Sequence, residues 1–225
     1  MKPLRESVTE APSPAPISGL GGARSGTPAR FALAVVAGAG VGAVLEWSVP
    51  HLPFSLEPLG NSAAPWLIVA FGVALTTRSA IESLALAVVT LITLVAGFYI
   101  AQDSRGWAVS EHQVVLWTAA SCVAGPLVGI AAAWLRRNGR MAAAVGAGVV
   151  GGWLVGEAVY GLRVLRFSSP AGYWHVQLGL GLGLAVALPV WRSRRHLISS
   201  IPTLAVSLAT CAVVGLGTLV AYKLP

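Results

Sequence analysis

Residues 79–101 read SAIESLALAVVTLITLVAGFYIA, and past Glu82 nothing in the stretch carries a charge. Wound as a helix at about 1.5 Å per residue, the run is just over 30 Å long. The hydrocarbon core of a bilayer is about 30 Å thick. Six further apolar runs flank it, at 31–48, 63–77, 113–135, 141–161, 173–191 and 200–222. The composition agrees: 56% of the 225 residues are hydrophobic and 10% charged, whereas a soluble domain carries about 25% charged residues. A backbone crossing lipid must satisfy its own hydrogen bonds, so each run is predicted to be helical.

The sequence therefore predicts an all-α, polytopic transmembrane helix bundle of seven spans over residues 31–225. Run 63–77 is the shortest and shares a tight turn, Thr76-Thr77-Arg78, with the run quoted above, so six spans is the alternative. Residues 1–30 hold five prolines and no apolar run, the composition of a disordered tail. No signal-peptide pattern precedes Phe31.

The net charge of +7 does not point to nucleic acid, because the basic residues fall in short clusters between apolar runs. Alternating the spans puts Lys2, Arg5, Arg24, Arg30, Arg78, Arg136, Arg137, Arg140, Arg192, Arg194 and Arg195 on one side. Only Arg105, Arg163, Arg166 and Lys223 fall on the other. The richer side is expected to face the cytoplasm of a plasma membrane and meet anionic lipid headgroups. The tail is then inside and the C-terminus outside. Trp117 with Trp134, and Trp174 with Trp191, bracket two runs at a spacing of about 25 Å, which suits an aromatic belt at each interface. Cys122 and Cys211 lie inside apolar runs and read as small buried hydrophobes.

Glycines at four-residue spacing mark faces where helices can approach closely: Gly38 and Gly42, Gly125 and Gly129, Gly179 and Gly183, and the triple Gly148, Gly152 and Gly156. Such faces serve packing within the chain, or homo- or hetero-oligomers. Pro126 and Pro189 lie inside runs and are expected to kink them.

Three acids sit within apolar runs, where an ionisable group is a functional hypothesis by default. Glu82 follows Arg78 by four residues, which predicts a local ion pair at the interface. Glu46 is in register with Gly38 and Gly42 and looks into the bundle. Glu157 shares a face with Trp153 and Tyr160. His175 opens the next run, in register with Gly179 and Gly183, with Gln177 close by. These residues form a candidate polar vestibule beneath the outer leaflet that takes a cation or small polar solute, or passes a proton. The competing reading is that they satisfy one another and water at helix ends.

Between the first two runs lies NSAAPW, residues 61–66. Asn61 or Ser62 is a good N-cap, proline is tolerated in a first helical turn, and Trp66 suits the interface. A second reading has this helix N-terminus, with its partial positive charge, facing the vestibule and holding an anion or carboxylate. A faint echo also runs through the chain. GAGV occurs at 38–41 and 146–149, with Glu46 and Glu157 following, and NSAAPW has a loose counterpart in SSPAGYW at 168–174. That is the pattern of a parallel repeat of three helices joined by the fourth run.

Asn61-Ser62 with Trp66, Gly97-Phe98-Tyr99, AGPLVG at 124–129 and GEAVY at 156–160 together resemble a family of uncharacterised actinobacterial multi-pass membrane proteins, a domain of unknown function. The resemblance covers about residues 31–222 and implies a membrane location without supplying catalytic residues. Zinc-protease, serine-hydrolase and nucleotide-binding motifs are absent, and no Cys/His set has metal-ligand spacing. No cofactor or metal is expected, and nothing supports an enzyme. The leading expectation is a small permease-like or solute/cation-binding protein. The alternative is a structural or accessory membrane subunit.

Overall fold

A computed structural model describes residues 26–136, 139–192 and 200–221. Residues 1–25 of the expected tail lie outside the described residues, as do Arg137, Arg194, Arg195 and Lys223 and the side chains of Asn61 and Arg192. The described residues form α1 (Thr27–Ser48), α2 (Pro58–Asn61), α3 (Ala63–Ala74), α4 (Ala80–Ser104), α5 (Glu111–Arg136), α6 (Arg140–Arg163), α7 (Ala171–Arg192) and α8 (Ser200–Ala221). Short 3-10 turns at Val49–His51 and Phe54–Leu56 lead into α2.

Six of these helices are long and apolar enough to cross a membrane. Helix α3, the expected second span, is not among them: it has 12 residues, or about 18 Å, little more than half the hydrocarbon thickness. Pro50, Pro53 and Pro58 break the chain ahead of it, because proline interrupts a helix interior. In the other direction α1 starts at Thr27, ahead of its apolar run, with a proline in its first turn where the missing N–H has no partner to lose.

The helices pair through backbone approach. Gly38 of α1 faces Thr90, Thr93 and Leu94 of α4, and Gly42 faces Leu94 and Phe98, so α1 and α4 run parallel. A Cβ at Gly148, Gly152 or Gly156 would stand 2.5, 2.6 or 2.5 Å from the carbonyl oxygens of Ser207, Cys211 and Gly215, so α6 and α8 also run parallel. Gly125 and Gly129 of α5 face Val88 and Leu84 of α4 in the antiparallel sense, and Gly151 of α6 faces Gly181 and Ala185 of α7. Helix α3 runs back against α4, where the Ser83 hydroxyl donates to the carbonyls of Ala74 and Gly129 at 3.0 Å each. A core of Leu67, Ala70, Ala74, Leu91, Ala124 and Val128 joins α3, α4 and α5. The start of α1 and the finish of α8 consequently lie at opposite ends of the bundle.

Helix α6 is the central post, more fully buried than α4 although α4 is the more apolar of the two. Small residues place it there rather than hydrophobicity. The large apolar side chains point outward instead: Val36, Ile81, Val123 and Val213 are 70%, 83%, 70% and 71% exposed. Lipid is the solvent that tolerates such a surface.

Several expectations change. Glu82 does not pair with Arg78. It pairs with Arg30 of α1, whose guanidinium reaches the two carboxylate oxygens at 3.1 and 3.2 Å, and with the Thr77 hydroxyl. Helix α4 begins after its N-cap Ser79, so Arg78 precedes the helix and shares no face with Glu82. Trp174 is buried, covering Gly161 and donating its indole N–H to the Ser169 hydroxyl at 2.9 Å, which removes it from a belt. Trp66 packs inward against Phe98 and Trp117, with centroids 5.5 and 6.0 Å apart. Cys211 is buried as expected, and Cys122 is exposed on the outer face of α5.

Candidate polar vestibule

Helix α3 starts inside the bundle, and its first amide groups need partners. Ser62 is the N-cap: its backbone is extended and its hydroxyl accepts from the Ala64 N–H at 3.2 Å. The remaining demand is met from α6. The Ala63 and Ala64 N–H groups donate to the two carboxylate oxygens of Glu157 at 2.6 and 3.0 Å, and the Ser62 hydroxyl donates to Glu157 Oε2 at 3.0 Å. Gln177 of α7 adds its amide, donating to Glu157 Oε2 at 2.9 Å and to the Leu154 carbonyl at 3.3 Å. Its own oxygen accepts from Ser62 at 3.3 Å. Ser62, Glu157 and Gln177 are 2%, 2% and 4% exposed, so the cluster is buried. The Tyr173 hydroxyl stands beside Ser62 and Glu157.

These contacts are chemically matched. A helix N-terminus carries about half a positive charge, and a carboxylate there gains up to ~2 kcal/mol in partly buried geometry. Glu157 lies six residues before the end of α6, about 9 Å from that end. Helices α3 and α7 thus converge on one carboxylate of α6, well below the rim of the bundle.

Glu46, 4% exposed, stands at the same end on α1. Arg105 donates to its carboxylate at 3.4 Å and to its backbone carbonyl at 2.9 Å. The guanidinium also lies over the Trp107 ring at 4.0 Å and the Trp47 ring at 5.3 Å. Gly106, with φ of 74°, makes this possible. It reverses the chain after α4 so that the Trp107 N–H returns to the Gln102 carbonyl at 3.3 Å, and such a φ favours glycine.

Between Glu46 and the start of α3 lies a cavity of about 410 Å³. Its floor is Ser62 and Ala63, its walls carry Trp66, Phe98, Tyr99, Trp107 and Trp117, and Gln102 and Gln113 stand among them. The cavity exists because α3 starts low: a full-length helix would fill it. The α3 N-terminus that holds Glu157 is therefore also the cavity floor.

Of the residues singled out in the sequence, Ser62, Glu157 and Gln177 come together, and Glu46 lines the same cavity as Ser62. His175 does not join them. It is exposed, and its Nδ1 contacts the Ala171 carbonyl at 2.8 Å. Its register is the reason, since α7 packs through Gln177, Gly181 and Ala185, while His175, Gly179 and Gly183 occupy the open side. Tyr160 is half-buried on α6 and is not part of the cavity wall. Gly179 and Gly183 pack against nothing within 4 Å among the described residues, whereas Gly38, Gly42, Gly148, Gly152 and Gly156 are used inside the chain.

Sequence reasoning passed over Tyr99, Gln102, Gln113, Trp107 and Tyr173. A signal existed for two of them: Tyr99 and Gln102 sit three residues apart on one helical face, at the end of the apolar run. Tyr173 and Gln113 are ordinary residues at helix starts, and only the tertiary arrangement distinguishes them.

The chain belongs to a family of unknown function, DUF6518, whose family model matches residues 22–224. No curated protein and no solved structure matches it.

Proposed function

We propose that this chain is a small permease-like membrane protein that binds a polar solute or cation in an outward-facing vestibule. The 410 Å³ cavity carries the reading. It combines hydrogen-bonding groups, one carboxylate and several aromatic faces, which suits a compact solute with a cationic or planar part. The count of Lys and Arg gives the direction: the Arg105 end faces outside and the Arg30 end faces the cytoplasm of the plasma membrane. Helix α3 then enters from the outside as a half-span. A discontinuous helix ending at a binding site is a recurrent feature of transporters.

The test uses tryptophan emission, because Trp66, Trp107 and Trp117 line the cavity. A panel of small organic cations and neutral polar solutes is titrated into purified protein, reading fluorescence and melting temperature. The expected result is that one class quenches and stabilises, and that Gln113→Trp at the exposed mouth blocks both effects. A panel without any response, or a response unchanged in Gln113→Trp, overturns the reading.

A second reading, an accessory subunit, draws support from the open side of α7. Gly179 and Gly183 are exposed there, beside an apolar groove between α3 and α7 of about 690 Å³. It predicts that Gly179→Leu with Gly183→Leu abolishes a stable complex with another membrane helix and leaves solute binding intact.

A further inference from the structure

At the Arg30 end, a separate cavity of about 370 Å³ is lined by Arg30, Thr76, Thr77, Arg78, Ser79 and Arg136. Three elements supply it: α1, the turn between α3 and α4, and the last turn of α5. Arg30 is the one guanidinium of the three with an acidic partner among the described residues, Glu82. Arg78 and Arg136 are exposed and make no ion pair there. Among the described residues, one carboxylate faces three guanidinium groups, a surplus of two positive charges. Ser79, the N-cap of the 25-residue helix α4, stands in the same wall, as does Thr76, whose hydroxyl donates to the Val73 carbonyl at 2.7 Å.

We infer that this cavity is a phosphate-binding site for an anionic phosphoryl group. The chemistry is specific to that class. Planar guanidinium groups bond phosphate oxygens in pairs, and hydroxyls and a helix N-terminus complete such a cradle. A carboxylate or halide would use fewer of these donors. The phosphoryl group has two sources, an anionic phospholipid of the bordering leaflet or a phosphate dissolved in the adjoining water. Dispersed basic residues near a membrane need no pocket, whereas here the arginines converge on one from α1, the α3–α4 turn and α5. Glu82 has a defined part: it anchors Arg30, and with Thr77 it ties α1 to the start of α4, so the cavity has a fixed wall.

The experiment has two arms on the full-length protein. In the first, detergent-solubilised protein is titrated with inorganic phosphate, with chloride keeping ionic strength constant. In the second, protein in phosphatidylcholine nanodiscs is compared across increasing phosphatidylglycerol. Melting temperature is the readout. Arg78→Gln and Arg136→Gln are compared with Arg140→Gln, which removes the same charge from a residue outside the cavity wall. The expected result is stabilisation in one arm, with affinity reduced about tenfold by Arg78→Gln and by Arg136→Gln, the loss of one hydrogen bond to a charged group, and kept by Arg140→Gln. Response to phosphate alone identifies the dissolved source, and response to phosphatidylglycerol alone identifies the lipid. Absence of stabilisation in both arms, or equal losses in all three variants, overturns the inference.

Discussion

The chain contains two three-helix halves, α1–α3–α4 and α6–α7–α8, and they solve one packing problem differently. In each, the first and third helices run parallel and touch through glycines, Gly38 and Gly42 on α1 and Gly148, Gly152 and Gly156 on α6. The returning helices differ. α7 has 22 residues and packs along α6 through Gly181, while α3 has 12 and rests on α4 and α5. Length decides the consequence. The half with the full helix is filled, and the half with the short helix holds a cavity. The free amide groups of that short helix are then satisfied by Glu157 from the other half, and Gln177 from the same half accepts from the Ser62 hydroxyl. A missing stretch of helix thus becomes both a cavity and the polar link between the halves.

Breaking that link should have the largest effect. Glu157→Ala takes the acceptor from the Ala63 N–H and one of two acceptors from the Ala64 N–H, the Ser62 hydroxyl and the Gln177 amide, in a buried site. A loss of about 3 kcal/mol in unfolding from detergent micelles is expected, the upper end for buried donors deprived of a charged acceptor. Ser62→Ala should cost about 1 kcal/mol, the usual value of an N-cap, because the Glu157 contacts to Ala63 and Ala64 survive it. Equal effects of the two substitutions would mean that the carboxylate merely supplements the cap.

Glycine substitutions sharpen the contrast next. Gly152→Val puts a side chain into the Cys211 carbonyl, and α6 and α8 must separate, at about 1–3 kcal/mol for overpacking. Gly183→Val, in an identical spacing pattern on α7, should stay within about 0.5 kcal/mol, because nothing there is met. Melting temperatures of the two variants check this directly.

Those two glycines also mark how far the sequence could be read. The apolar runs match the helices within a few residues, because length and hydropathy are properties of a single segment. Gly148, Gly152, Gly156 and Gly183 look alike in sequence, and only the neighbouring helix separates a used face from a bare one. Ser62 was legible as a cap from the local chemistry of NSAAPW. That a carboxylate would meet the helix it starts was also legible as an alternative. Its identity was not, since Glu157 lies 94 residues from Ala63. His175 misled for the complementary reason: proximity in sequence to Gln177 placed it on the opposite face of the same helix. Arg78 misled because the four-residue rule holds within a helix, and α4 begins two residues after it.

A modest effect on stability, but the most informative about the vestibule, comes from Arg105. Its guanidinium already occupies the position that an organic cation would seek, against Glu46 and over Trp107. Arg105→Gln removes this tethered cation. Glu46 borders the 410 Å³ cavity, so water entering there hydrates the freed carboxylate, and the stability loss is about 1 kcal/mol. A cationic solute should then bind about tenfold tighter, since it no longer displaces a charged competitor worth about 1.4 kcal/mol. A neutral solute resting on the aromatic walls should bind unchanged. The variant therefore separates the two classes of solute in a single titration. A cation that binds more weakly to Arg105→Gln would place the seat away from Glu46, and would make Arg105 part of the binding surface rather than a rival for it.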